Sequence, residues 1–396
     1  MRLSRGGRSQ RNERKVRPTW QAPSLTSSSR AARADAFGAP AAYAPPMLAG
    51  RATAEGTAHF RDKSGAAEGH FRQALSGPWL SSLGIGTYLG RDDAATDALY
   101  AQSVRRALQL GINVIDSAIN YRNQRSERAV GAAILESGVA REAIVLCTKG
   151  GYLPFDGGRP HDVRAYFEET FIRPGILKAE EIVAGCHSLA ARYLDDQIDR
   201  SRRNLGVECI DVYYIHNPET QLGEVPRAEF RHRLRTAFAA LERACESGKI
   251  GCYGAATWNG LRLEASEEES LSLAELLDAA RDAGGKDHRF RAVQLPFNIE
   301  MDEAATLRNQ GDHTLLEAAR EAKVAVFASA SVLQGRLTRQ LPQAVRDALA
   351  GLSSDAQRAL QFARSTPGIT SALVGMKTPA HVDDNAALAK LPPLAV

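Results

Sequence analysis

From about residue 76 onward, short runs rich in β-branched and aliphatic residues alternate with longer stretches of helical periodicity, eight times over. No other feature constrains the fold as much. The strand-like runs fall at 83–87, 113–117, 143–148, 210–216, 251–255, 292–295, 325–328 and 371–374. Between and after them lie helical patterns at 95–110, 126–137, 194–205, 228–247, 273–283, 314–322, 355–365 and 380–388. Val104, Ala107 and Leu108 show the spacing that lines one helix face with apolar side chains. The runs 144–146 and 212–215 are apolar on both faces, as strands of a helix-covered parallel sheet must be. Strand–helix alternation allows a doubly wound sheet or a closed barrel. Eight units over about 320 residues match the (β/α)8, or TIM, barrel, which we expect over residues 71–396.

The first 70 residues are different in texture. They are rich in Arg, Ser, Ala and Gly and lack sustained periodicity, so they bury too little apolar surface to offset their ordering entropy. We expect a disordered basic extension over 1–70, or a start placed too early, Met47 being the next methionine. An organelle transit peptide is the second reading. Arg2, Arg5, Arg8, Arg11, Arg14, Lys15 and Arg17 face only Glu13 within the first twenty residues. The formal net charge of +4 therefore belongs to this tail, and the remainder carries −2. The folded body shows no basic stripe that would suit nucleic acid. Cys147, Cys186, Cys209, Cys245 and Cys252 lack paired or metal-type spacing, which reads as reduced thiols in a cytoplasmic setting, with no metal site. No apolar run approaches a membrane span, and the sequence is silent on oligomeric state.

In such a barrel, function collects at the C-terminal ends of the strands. The second strand runs out into Asp116-Ser117-Ala118-Ile119-Asn120-Tyr121, the third into Thr148-Lys149-Gly150, and the fourth into His216-Asn217. Asp116, Tyr121, Lys149 and His216 thus converge on one rim from adjacent strands. Each alone has an ordinary structural explanation, Asp116 as a helix cap, Lys149 as an ion-pair partner and His216 as a hydrogen-bonded core residue. Together they suggest carbonyl reduction by proton and hydride transfer. A phenol is a weak acid, with a pKa near 10, and a neighbouring ammonium lowers it. Lys149 would act so on Tyr121, with Asp116 pairing the ammonium and His216 hydrogen-bonding the substrate oxygen.

The run Asp116-Ser117-Ala118-Ile119-Asn120-Tyr121, followed by Ser126-Glu127, resembles the signature of the aldo-keto reductase family. The likeness extends over residues 76–390. It includes Gly84-Ile85-Gly86-Thr87, Lys149, His216, and the segment from Gly375-Met376-Lys377 to Asp384-Asn385. It implies that Asp116, Tyr121, Lys149 and His216 form the catalytic tetrad and that the cofactor is NADPH, with NADH the alternative. The cofactor contacts it implies are Thr87, Asp116, Thr257, Gln294, Ser331, Leu333, Gln334, Gly335, Lys377, His381, Asp384 and Asn385. Tyr88, Arg122, Tyr152 and Trp258 are the expected substrate contacts, for a small carbonyl compound or alcohol.

Several positions depart from the family pattern. Ala256-Thr257 stands where a Ser-Asn pair is expected, Ser329 where a stacking tyrosine often sits, and His381 where an arginine is frequent. Arg122 replaces the glycine after the tyrosine, which would bring a cation to the pocket rim. The connection 150–190 is long for a βα loop. Its Tyr152, Phe155, Arg159, His161, Tyr166 and Phe167 either roof the substrate pocket or form a surface excursion.

Three other readings bear on the same residues. The run from Gly84 to Gly90 lacks Rossmann spacing, and Asp116 comes too late for a ribose-binding acid. A Schiff-base aldolase would use Lys149 but gives Tyr121 and Asp116 no part. A nucleotide-binding regulatory subunit of low turnover stays open, since some members of the resembled family serve channels.

Overall fold

The structure, a computed structural model, describes residues 47–394. Helix α1 (Ala54–Ser64) opens the described chain, started by Thr53, whose side chain accepts from Gly56 N, and ended by Gly65 in the left-handed region (φ 58°). The antiparallel hairpin of β1 (Phe71–Gln73) and β2 (Trp79–Ser81) follows. Then come β3 (Leu83–Gly86), α2 (Ala94–Gln109), β4 (Val114–Asp116), α3 (Arg125–Glu136) and β5 (Val145–Gly150). A long insertion carries α4 (Val163–Phe167) before α5 (Ala191–Leu205). The alternation resumes with β6 (Ile210–His216), α6 (Arg227–Glu246), β7 (Ile250–Ala256), α7 (Leu273–Gly284) and β8 (Phe290–Pro296). It ends with α8 (Glu303–Thr306), α9 (Leu315–Glu321), β9 (Ala325–Ser329), α10 (Gln343–Ala348), α11 (Asp355–Ser365), β10 (Ile369–Gly375) and α12 (Pro379–Ala386).

Strands β3 to β10 form a closed barrel, each parallel to its neighbours, with β10 pairing back onto β3. The expected eight-stranded architecture is present. Because successive side chains on a strand point to opposite faces, two apolar layers result. One fills the barrel interior, with Val114, Val145, Cys147, Val212, Tyr214, Phe327 and Leu373. The other lies between strands and helices and includes Ile85, Ile115, Leu146, Tyr213, Val293 and Val326. Leu80 of the hairpin is fully buried and joins the interior layer, so the hairpin plugs the N-terminal end of the barrel. Chemistry is left to the opposite rim.

The N-terminal boundary differs from the expectation. Residues 1–46 of the expected extension lie outside the described residues, but 47–70 are folded onto the barrel. Leu48 exchanges backbone hydrogen bonds with Gly206 and Glu208 at 2.8 and 3.0 Å, and Ala52 N donates to Asp211 Oδ1 at 2.6 Å. Periodicity could not reveal α1, because the helix docks through backbone approach at Gly56 and carries little apolar surface. A Cβ at Gly56 would lie 2.6 Å from the Glu142 carbonyl oxygen.

The insertion after β5 builds its own small core. Leu153, Phe155, Phe167, Phe171 and Leu177 pack against Tyr193 of α5. Phe155 and Phe167 stack at 5.5 Å, and Arg200 sits over Phe171. Most of its aromatics therefore satisfy one another; Tyr152, at its start, belongs to the site described next.

Candidate active site

Asp116 ends β4 and Lys149 lies one residue before the end of β5, two strands in register. Both side chains are buried, and Lys149 Nζ donates to Asp116 Oδ2 at 2.6 Å and to the Ser117 carbonyl at 2.8 Å. Gln294, on β8 across the barrel, donates to Asp116 Oδ1 at 2.8 Å. Both carboxylate oxygens are thus bonded, which is what lets a buried charge pair persist. Strand β5 runs two residues past its expected end, pairing Lys149 with Tyr214 and Gly150 with Ile215. The ammonium therefore sits on rigid sheet rather than on a loop.

Tyr121 lies in the turn between β4 and α3. The Lys149 nitrogen is 4.8 Å from the centroid of its ring. Burial raises the phenol's pKa, the Lys149 ammonium lowers it and the Asp116 charge raises it again, the net shift being upward. The expected lowering by Lys149 is present but burial outweighs it. The phenol accordingly stays protonated through neutral pH, the form that donates.

Arg122, Asn123 and Gln124 follow with φ of 48°, 56° and 69°, three successive left-handed residues. Glycine adopts that conformation without steric cost, which explains its frequency in the signature after the tyrosine. Here the Arg122 side chain compensates: it bonds the carbonyls of Arg91 and Asp93 and reaches Asp97 Oδ1 at 2.5 Å. The expectation that Arg122 brings a cation to the pocket rim is corrected, since its guanidinium is turned away and tied to the start of α2. Glu127, also of the signature, is buried beside Thr148, the residue before Lys149. It accepts from Thr148 Oγ1 at 2.6 Å and Asn204 Nδ2 at 2.9 Å, and burial raises its pKa.

His216 closes β6. Its ring stands edge-on to Tyr121, 5.8 Å between centroids, and perpendicular to Tyr152 at 5.0 Å. Burial and the nearby Lys149 push its pKa well below the usual histidine value, so the imidazole is neutral. Its Nδ1 is buried and has no partner among the described residues. Tyr88, about half exposed, meets Tyr121 at 5.0 Å. Phenol, ammonium, carboxylate and imidazole thus meet at the C-terminal rim, walled by Tyr88 and Tyr152.

Sequence reasoning missed His187, which is fully buried next to this group, and its partner Gln221. His187 Nε2 meets the His216 carbonyl oxygen at 2.8 Å. Nothing in the sequence singles out a histidine 29 residues before His216; His161, which did draw notice, is exposed. Trp258, two residues past the end of β7, is half-buried, its backbone amide donating to the buried Glu219 at 2.7 Å.

Besides Asp116, the residues that the family likeness assigns to a nucleotide lie on β8, as Gln294, or follow the C-terminal ends of β3, β7, β9 and β10. Thr87 bonds Asp116 O and Ser117 Oγ at 3.2 and 3.0 Å. Thr257 Oγ1 and Asn385 Oδ1 are buried without partners among the described residues, as groups awaiting a ligand would be. After β9, Ala330, Leu333, Gln334 and Gly335 all have positive φ, forming an irregular turn in which Ser331 is buried. Lys377 and exposed His381 flank the start of α12. Asp384 is already engaged by Ser354 Oγ at 2.9 Å and Gln357 Nε2 at 3.0 Å. Phe327 packs inside the barrel against Tyr214, so it offers no replacement for the stacking residue absent at Ser329.

The model of the aldo/keto reductase family matches residues 82–395. A 9,11-endoperoxide prostaglandin H2 reductase of Trypanosoma cruzi is 31% identical over 175 residues, 44% of each chain. A putative voltage-gated potassium channel subunit beta of Schizosaccharomyces pombe is 24% identical, over 53% of this chain and 51% of that one. The chain spans about half the length of these curated relatives. Among solved structures, an aldo/keto reductase from Klebsiella pneumoniae in complex with NADP and acetate superposes with a TM-score of 0.56. It is 20% identical, covering 82% of this chain and 91% of that one.

Proposed function

The chain belongs to the aldo/keto reductase family, and from that premise we propose that it is an NADPH-dependent reductase of an aldehyde or ketone. In reverse it would oxidise the corresponding alcohol or sugar. The observation that carries this reading is the buried Lys149–Asp116 pair, with its ammonium beside the Tyr121 ring and the His216 ring edge-on to the same phenol. NADPH, when bound, supplies the hydride. Tyr121 donates the proton to the carbonyl oxygen as negative charge develops there. Lys149 stabilises the phenolate left behind, and Asp116 holds Lys149 in place. Neutral His216 donates a hydrogen bond to the same oxygen and orients it. Tyr88, Tyr152 and Trp258 serve as walls of the substrate pocket.

The unpartnered Thr257 and Asn385 side chains suit a nucleotide. So do Gln294, Thr87 and the turn of Ser331, Leu333, Gln334 and Gly335, whose backbone amides fit a diphosphate. Lys377 suits the 2′-phosphate of NADPH, while His381, standing where an arginine is frequent, makes a weaker partner for it and leaves NADH the alternative. Asp384 and Asn385 would meet the adenine. The five cysteines are unbridged, which fits a reducing cytoplasmic compartment. Among the described residues no helix is long and apolar enough to cross a membrane, and no His, Cys, Asp and Glu cluster is placed to hold a metal ion.

The test is NADPH oxidation with an aromatic aldehyde. Tyr121→Phe is expected to lower kcat by about 10²–10⁴-fold, the usual scale of general acid catalysis, with NADPH affinity unchanged. If neither NADPH nor NADH binds below about 1 mM, some 4 kcal/mol of binding, the reductase reading fails. A second reading, a nucleotide-binding regulatory subunit, draws on Thr257 and Ser329 in place of the family's cofactor contacts. Nucleotide binding without turnover would favour it.

A further inference from the structure

A line of polar groups runs behind the proposed site and takes no part in the chemistry so far described. Arg233, on α6, donates from Nη1 to Gln221 Oε1 at 3.0 Å, which settles which end of that amide is the carbonyl. The Gln221 Nε2 then faces His187 Nδ1 at 2.9 Å, so Nδ1 must accept. The hydrogen of the neutral ring is left on Nε2, and it is donated to the His216 carbonyl at 2.8 Å. The tautomer follows from the network.

His187 also closes the insertion. It pairs with Tyr152 as an isolated antiparallel bridge, and Ser188 N donates to Gly151 O at 2.9 Å. Its ring stands edge-on to Tyr152, 5.0 Å away at 81°. Tyr152 in turn is perpendicular to His216, and its hydroxyl accepts from Asn217 Nδ2 at 3.1 Å. There is no slack in this arrangement. Gly151 has φ +130°, and a Cβ there would lie 2.7 Å from His187 Nε2 and 3.3 Å from the His216 carbonyl.

We propose that His187 is a positioning residue: it pins the backbone of His216 and latches residues 151–188 so that Tyr152 stands as a fixed wall against the His216 imidazole. The proposal rests on the reductase reading and extends it. His187 touches neither substrate nor the reacting atoms. It acts by denying His216 and Tyr152 the freedom to move apart, and misplacing a catalytic group by about 1 Å can cost as much as 10²-fold in rate.

The experiment uses the full chain with His187→Ala and His187→Gln. A glutamine amide keeps a donor for the His216 carbonyl, whereas alanine keeps none. For His187→Ala, KM for the aldehyde is expected to rise and kcat to fall, each by about tenfold. NADPH binding, followed by fluorescence, should stay unchanged, and His187→Gln should recover most of both losses. Limited trypsin digestion gives a readout independent of activity. Arg159, Arg164, Arg173 and Lys178 are exposed on the insertion, and cleavage there should accelerate in His187→Ala while the barrel stays intact. A lowered Tm with wild-type kcat, KM and cleavage rate would overturn the proposal, leaving His187 as packing only. If His187→Ala does not fold, Gln221→Ala, which releases the tautomer, takes its place with the same expected outcomes. Should the wild-type protein oxidise no NADPH at all, the reductase reading fails by itself, and the cleavage rates alone uphold or overturn the latch.

Discussion

Lys149 shows how one buried charge ties stability to chemistry. Its side chain and that of Asp116 are almost wholly shielded from water, so neither can ionise there without the other. Lys149→Met therefore strands a carboxylate. It should cost about 3–5 kcal/mol of unfolding free energy, the scale for breaking a buried pair from one side, besides removing turnover. Urea denaturation checks this, and the Lys149→Met, Asp116→Asn double variant should regain part of the loss. If it regains none, the pair is not coupled as described. The four residues of this group were legible because each follows an apolar strand run, where a change from apolar to ionisable side chains marks the rim. Arg122 was misread because its backbone conformation, which turns the guanidinium toward Asp97, leaves no trace in residue order. His187 was illegible for a related reason: its partners Gln221 and Arg233 come 34 and 46 residues later, joined only by the fold.

Among the secondary elements, the eight strands and their covering helices could be read from periodicity, since burial on one or both faces writes itself into apolar spacing. The short helices α4, α8 and α10 left too few turns to show a period. Helix α1 escaped notice because its contact is made by the absence of a side chain. Glycine to alanine inside a helix ordinarily stabilises by up to about 1 kcal/mol. At Gly56 the sign should reverse, since the new methyl group would meet the Glu142 carbonyl carbon at 2.8 Å and its oxygen closer still. Gly56→Ala is expected to lower Tm and to expose Arg61 and Lys63 to trypsin, with a cost of about 1–3 kcal/mol, as for other overpacked sites. A raised Tm would mean that α1 does not lie against that carbonyl.

Across the whole molecule, the two ends of the barrel are secured by the same device. At the plugged end, Arg364 Nη1 donates to Ser82 Oγ, Ser82 faces His70 Nδ1 at 3.1 Å, and His70 Nε2 meets the Gly111 carbonyl at 3.1 Å. At the open end, Arg233, Gln221 and His187 repeat the order of arginine, polar relay, neutral ring and carbonyl. Burial depresses both histidines to a pKa of about 4. Above about pH 6.5, the ordinary histidine value, the rings are neutral folded or unfolded and add no pH dependence. As pH falls below 6.5 the unfolded chain binds protons that the folded one refuses, so stability drops until the folded rings titrate near 4. At ~1.4 kcal/mol per unit, each histidine accounts for a loss on the order of 3 kcal/mol. His216 acts in the same sense, whereas Glu127 and Glu219, with raised pKa values, act in the opposite one. The informative quantity is thus a difference: urea midpoints between pH 7 and 5 should fall less in His70→Gln and His187→Gln than in the wild type. Parallel curves would remove the histidines from the account. The insertion has its own apolar filling, apart from the barrel's two layers, and is clasped at its base by Gly151 and His187. The insertion is therefore a separately packed unit that protein engineers could exchange between homologues while the proton-handling apparatus beneath is left as it was, provided that Tyr152 and the seat on Tyr193 are kept.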